Sequence, residues 1–143
     1  MLGLSGNAYL YGYYQSEKYF RSIEETLREE LSLQRELDGI NREWRYRVEE
    51  EESVSIHVCR SDYVDQEWDL PVGYYRSAIE EICRTNGSVQ LFFFSDDVEW
   101  VRENRRDLLP KDVTHESVSY VDCNGTDNAH KDLWLMKSCS HNI

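Results

Sequence analysis

The sequence predicts an α/β fold, a partial doubly wound parallel sheet with helices laid over it. Three observations carry that prediction. Short apolar segments alternate with amphipathic ones at spacings of about 30 residues, the rhythm of βαβ units. The run Val89–Phe94 is the most hydrophobic in the chain, and its continuity suits a strand covered on both faces. The segment Ser53–Val58 places Val54, Ile56 and Val58 on one face and Ser53, Ser55 and His57 on the other. Right-handed crossovers between such strands give a doubly wound layer.

Taken in order, Ala8–Tyr13 reads as a short aromatic-rich strand. Its tyrosines at 9, 11, 13 and 14 are expected to pack, with a sugar-stacking platform as the alternative. Ser16 offers a cap for a following helix, on which Phe20, Ile23, Leu27 and Leu31 fall at helical spacing. Asp38-Gly39 punctuates the chain, and Ile40 to Val48 forms a second, weaker helix carrying Trp44. The acidic run Glu49–Glu52 reads as a solvated helix end or loop. The strand Ser53–Val58 follows, its small serines suiting close packing against a helix.

Arg60–Leu70 reads as a loop, closed by Pro71. Tyr74–Arg84 is a helix with Tyr75, Ala78, Ile79 and Ile82 inward, ended by Asn86-Gly87. After the strand Val89–Phe94, Ser95 is expected to cap a helix with Asp96 and Asp97 in its first turn and Trp100 and Val101 inward. Pro110 breaks the chain, and Val118–Val121 is a third strand. Asn128 can cap a last helix through Leu133, Leu135 and Met136, and His141–Ile143 begins another strand.

Bulk properties narrow the function. At 143 residues the chain is one domain or part of one. A net charge of -12 excludes a general nucleic-acid binder, which needs clustered Lys and Arg. It leaves room for a nucleotide, because one local arginine can hold a phosphate. No apolar run approaches the ~20 residues of a membrane helix, and residues 1–5 lack the features of a signal peptide. Cys59, Cys83, Cys123 and Cys139 are widely spaced, without zinc-site spacing, so reduced thiols and a cytoplasmic location are expected.

Ligands of open α/β sheets bind just beyond the carboxyl ends of the strands. Two strands end in ionisable groups: His57, Cys59, Arg60 and Asp62 after the first, Ser95, Asp96 and Asp97 after the second. In a parallel sheet both ends lie on one edge. Arg60 supplies a planar cation suited to a diphosphate, and Asp96 or Asp97 could accept hydrogen bonds from a guanine edge or a ribose. Cys59 beside Arg60 could also be an activated thiol, although no cysteine-protease signature surrounds it.

Four blocks carry a resemblance. Residues 11–20, YGYYQSEKYF, resemble the GYWQSEKYF block of the α-1,2-fucosyltransferases, and residues 57–64, HVCRSDYV, their HxRRxDYV motif. Residues 92–100, FFFSDDVEW, resemble FxFSDDxxW, and residues 132–143, DLWLMKSCSHNI, resemble DxxLMxxCxHNI. The resemblance implies a GT-B enzyme of glycosyltransferase family eleven, with 51–143 a Rossmann-like GDP-fucose-binding domain and 1–50 a linker strand and helices leading into it.

It further implies inverting transfer of fucose from GDP-fucose to the 2-hydroxyl of a terminal galactoside. No cofactor or metal is needed, and the location is cytoplasmic or peripheral to a membrane. His57, Arg60, Asp62, Ser95, Asp96 and Asp97 are the residues expected to serve the GDP-fucose site. No catalytic base is assigned. Cys59 departs from the pattern, standing where the family has the first arginine of its pair. The family's Gly-rich opening block and its later serine- and tryptophan-rich block have no counterpart, so the chain is expected to be a fragment lacking both ends, its donor domain truncated at the C-terminus. An inactive nucleotide-binding remnant is the alternative reading.

Overall fold

A computed structural model describes residues 6–7, 9, 11–32, 36–37 and 39–143. Contacts divide the chain into two units, residues 1–34 and residues 35–143.

The first unit holds short 3-10 turns at Glu17–Tyr19 and Arg21–Ile23, followed by α1, Glu24–Glu30. Two expectations are corrected here. Of the strand expected at 8–13, Ala8 and Leu10 lie outside the described residues. Tyr9, Tyr11 and Tyr13 are not in a strand, and each ring is about nine-tenths exposed, so they do not pack. A lone extended segment without a hydrogen-bonded neighbour has nothing to hold it as a strand.

The continuous helix expected after Ser16 is instead three pieces. Ser16 does cap, accepting from the Lys18 N–H at 3.4 Å, but the cap opens a 3-10 turn. Phe20, Ile23 and Leu31 are exposed. Short helices derive most of their stability from a buried face, and here that face is not covered.

The second unit is the α/β layer. Its sheet has four strands, all parallel: β1 Ser53–Val58, β2 Gln90–Ser95, β3 Val118–Val121 and β4 His141–Asn142. Their order is β3-β2-β1-β4. Seven α-helices occur among the described residues. The six in this unit are α2 Gly39–Glu50, α3 Ser61–Asp65, α4 Val72–Asn86, α5 Val98–Glu103, α6 Arg105–Leu108 and α7 Ala129–Ser138.

One face of the sheet carries Val54, Ile56, Val58, Leu91 and Phe93. It packs against Tyr75 and Ile79 of α4, Val101 of α5 and Leu108 of α6. The other face carries α2 and α7, which also pack on each other. There the Trp44 ring meets Phe92 edge-on at 6.3 Å, and Val48 and Leu135 are fully buried. The serines of β1 explain the close approach. Ser53 Oγ donates to the Val48 carbonyl at 2.6 Å and accepts from the Ser140 N–H, while Ser55 Oγ bonds Asn142.

Several boundaries move. The segment expected to be a loop at 60–70 contains α3. The next helix starts at Val72, just past Pro71, whose fixed φ of −64° suits a helix start. It ends at Gly87, whose φ of +80° favours glycine. Asp97, not Ser95, caps α5: its Oδ1 accepts from the Trp100 N–H at 3.0 Å, because β2 runs through Ser95. Asn128 sits at the N-cap of α7, but its side chain makes no cap bond.

The topology fixes where a ligand can sit. From β1 the chain passes over one face, through α4 to β2 and then through α5 and α6 to β3. It returns through α7 on the opposite face to β4, on the far side of β1. The order therefore reverses between β1 and β4, and open α/β sheets bind ligands at the carboxyl ends beside such a reversal. The residues after β1 stand there.

Candidate functional site

β1 and β2 pair with His57 opposite Phe94 and Val58 opposite Ser95, so both strands end at the same level. Ser95 ties the ends together: its Oγ donates to the Val58 carbonyl at 2.7 Å and accepts from the Asp97 N–H at 3.0 Å. Asp96 then reaches across the gap. Its Oδ1 accepts from the Arg60 N–H at 2.8 Å and its Oδ2 from the Ser61 N–H at 2.9 Å. The side chain of α3's own N-cap residue, Arg60, does not cap that helix, and Asp96 supplies the bonds from the turn after β2 instead. Burial works against the Asp96 charge, but the Ser61 hydroxyl and the backbone N–H groups of Ser61, Arg60 and Asp96 itself outweigh it. The carboxyl is held below the usual carboxylate range.

Arg60 is the cation of this rim. Its guanidinium carbon lies 3.8 Å from the centroid of the Trp100 ring, and its Nη1 meets Asp69 at 3.3 Å. The Nε is buried without a hydrogen-bond partner. Asp62, in the first turn of α3, is exposed; the carboxylate that meets the guanidinium is Asp69. Tyr75 completes the surround. Burial, then the neighbouring Cys59, Tyr74 and Asp69, push its hydroxyl up to about 12, with Arg60 pulling the other way.

His57 is exposed, and its Nε2 lies 3.4 Å from Cys59 Sγ. The Cys59 thiol is pushed above its ordinary value, first by burial and then by the charges of Asp96 and Asp62. A raised pKa is the opposite of what an activated nucleophilic thiol needs.

A polar network at the carboxyl end of β3 went unread in the sequence. Asn41 and Asn124 exchange amide bonds of 3.0 and 2.7 Å, and Asn124 Nδ2 also donates to Asp132 at 2.7 Å. Burial raises the Asp132 carboxyl, against the pull of the Asn124 bond and of nearby His57. One signal was available: Asn41, Trp44 and Val48 form a helical stripe, and a polar residue on such a stripe needs a buried partner.

The structure thus brings His57, Cys59, Arg60, Ser95, Asp96 and Asp97 to one edge and adds Trp100, Asp69 and Tyr75. Among the described residues, no three His, Cys, Asp or Glu side chains gather as a metal site would need. No helix among them is long and apolar enough to cross a membrane.

Fold and rim together define a doubly wound α/β domain whose ligand edge carries one oriented arginine, an arrangement suited to an anionic ligand such as a nucleotide. The chain belongs to glycosyl transferase family 11, whose sequence profile matches residues 1–143. It is also 26% identical over 147 residues to an alpha-1,2-colitosyltransferase of Escherichia coli, covering 98% of this chain and 48% of that protein. The chain therefore spans about half the length of that curated relative. No solved structure matches it significantly.

Proposed function

We propose that residues 51–143 form the Rossmann-like donor domain of a GT-B α-1,2-fucosyltransferase and hold GDP-fucose at the carboxyl edge of β1 and β2. The observation that carries this reading is the position of Arg60. It lies at the reversal of strand order, with its backbone held by Asp96 and its guanidinium oriented by Trp100. A planar cation there suits a diphosphate.

In transfer, Arg60 stabilises the negative charge that grows on departing GDP as the sugar carbon gains oxocarbenium character. The 2-hydroxyl of a galactoside then attacks from the opposite face, with inversion and no metal. His57 lines the nucleotide, and Ser95, Asp96 and Asp97 lie on the nucleoside side. Asp96 and Asp97 already accept backbone N–H groups, so their share is to shape the edge as well as to touch it. The resemblance to a colitosyltransferase makes a colitosyl donor the second sugar to test.

Calorimetric titration of the 143-residue chain with GDP, GDP-fucose and UDP tests the reading. Guanosine diphosphates should bind and UDP should bind more weakly. Absence of GDP binding at millimolar concentration overturns it. A second reading, nucleotide binding without transfer, is favoured by the neutral Cys59 thiol at the position of the family's first arginine. GDP binding with no fucose or colitose transfer, in a protein extended to its relative's length, supports that alternative.

A further inference from the structure

We propose that Trp100 is a positioning residue for the donor's diphosphate, its indole face setting the plane of the Arg60 guanidinium. The inference rests on the donor-site reading above.

Arg60 and Trp100 are stacked at 3.8 Å, and both partners are anchored through their backbones. The Arg60 N–H is held by Asp96, the Trp100 N–H by Asp97, and the Trp100 carbonyl accepts from the Asn104 N–H at 2.9 Å. The Trp100 ring also packs against the core cluster, so it is a fixed shelf rather than a swinging side chain. A buried guanidinium nitrogen ordinarily finds an acceptor. Arg60 Nε has none, and the negative face of the indole is what the cation meets instead.

Asp69 engages one Nη donor at 3.3 Å from the side. Arginine carries five N–H donors in a fixed fork; with the Nε donor buried and one Nη1 donor engaged, the other Nη donors are left to a ligand. Forked recognition of phosphate depends on that plane being set in advance. The demand is greater here, because Cys59 leaves Arg60 without a second arginine beside it.

The test compares wild type, W100L, W100F and R60A for GDP and guanosine binding by saturation-transfer NMR, with a thermal melt of each. Wild type should prefer GDP over guanosine. W100L should lose roughly tenfold of that preference while binding guanosine as before, and W100F should lose about two- to threefold. If R60A loses the preference while W100L keeps it, the role of Trp100 is overturned and the donor site stands. If W100L weakens both ligands alike, Trp100 is merely structural and the inference falls. If wild type binds no GDP, the donor-site reading falls and takes this inference with it. Should W100L melt below the assay temperature, W100F decides: a loss confined to GDP supports the role, and an equal or absent loss refutes it.

Discussion

Asp96→Asn is the sharpest perturbation of the candidate site. Asparagine keeps one acceptor oxygen and places an NH2 where the carboxylate took a second backbone N–H. The two bonds, at 2.8 and 2.9 Å, are the ones that join the β2 turn to the start of α3. A hydrogen bond to a charged group contributes roughly 1.5–3 kcal/mol when well shielded. Asp96 is exposed on its outer side, so about 1–2 kcal/mol is the discounted loss. For a chain of 143 residues that lowers Tm by about 3–7 °C.

The pH dependence has a definite sign. The folded carboxyl lies below its ordinary value, so its contribution is present above the unfolded pKa of about 3.9. It is lost as pH falls through the lower folded value. Wild type should therefore exceed D96N in urea midpoint at pH 7 and approach it in strongly acidic solution. Hydrogen exchange reads the cause directly, since the Arg60 and Ser61 amides should lose protection in D96N. An unmoved midpoint with both amides still protected would refute the bracing role.

Cys59→Arg should tighten GDP binding roughly tenfold to a hundredfold by restoring a charged donor, checked by calorimetry; no change would remove the family position from the phosphate site. Wild-type Cys59 should react with iodoacetamide no faster than an ordinary thiol at pH 7, and its rate should still climb with pH where an ordinary thiol has levelled off, because burial raises its pKa; rapid labelling at neutral pH would contradict that. Asp132→Asn keeps the acceptor for Asn124 and removes a charge that burial penalises. It should be at least as stable as wild type at pH 7, with the difference closing as pH falls through the raised folded pKa and the wild-type carboxyl gains its proton. Gly87→Ala should cost about 1–3 kcal/mol in denaturation, entirely through backbone strain, since an added Cβ meets nothing within 4 Å.

What the chain's pattern revealed, and what it hid, follows from the range of the forces involved. β1, β2 and α4 were readable because period-two alternation, an unbroken apolar run and a Pro71–Gly87 frame are local signals. The aromatic alternation at 9–13 is an equally good local signal, yet a strand also needs a neighbour, which no local pattern supplies. Ser95 and Asp97 are both competent caps. Which one serves depends on how far β2 runs, and pairing with Val58 carries it through Ser95.

The candidate site divides in the same way. Its charged members were visible because ionisable groups at strand ends stand out from an apolar run. Their partners were not, because Asp96 bonding the Arg60 and Ser61 amides, Trp100 beneath Arg60 and Asp132 beneath Asn124 are contacts created only by parallel pairing and by the return of α7. Those contacts also change what the acids do. Read alone, Asp96 and Asp97 are two candidates for a ligand's hydrogen bonds. In the folded chain one braces the loop that holds Arg60 and the other fixes the helix that carries Trp100. The polar ends of β1 and β2 are therefore one mechanical unit, whose effect is to hold a single guanidinium in a set plane at the reversal of the sheet.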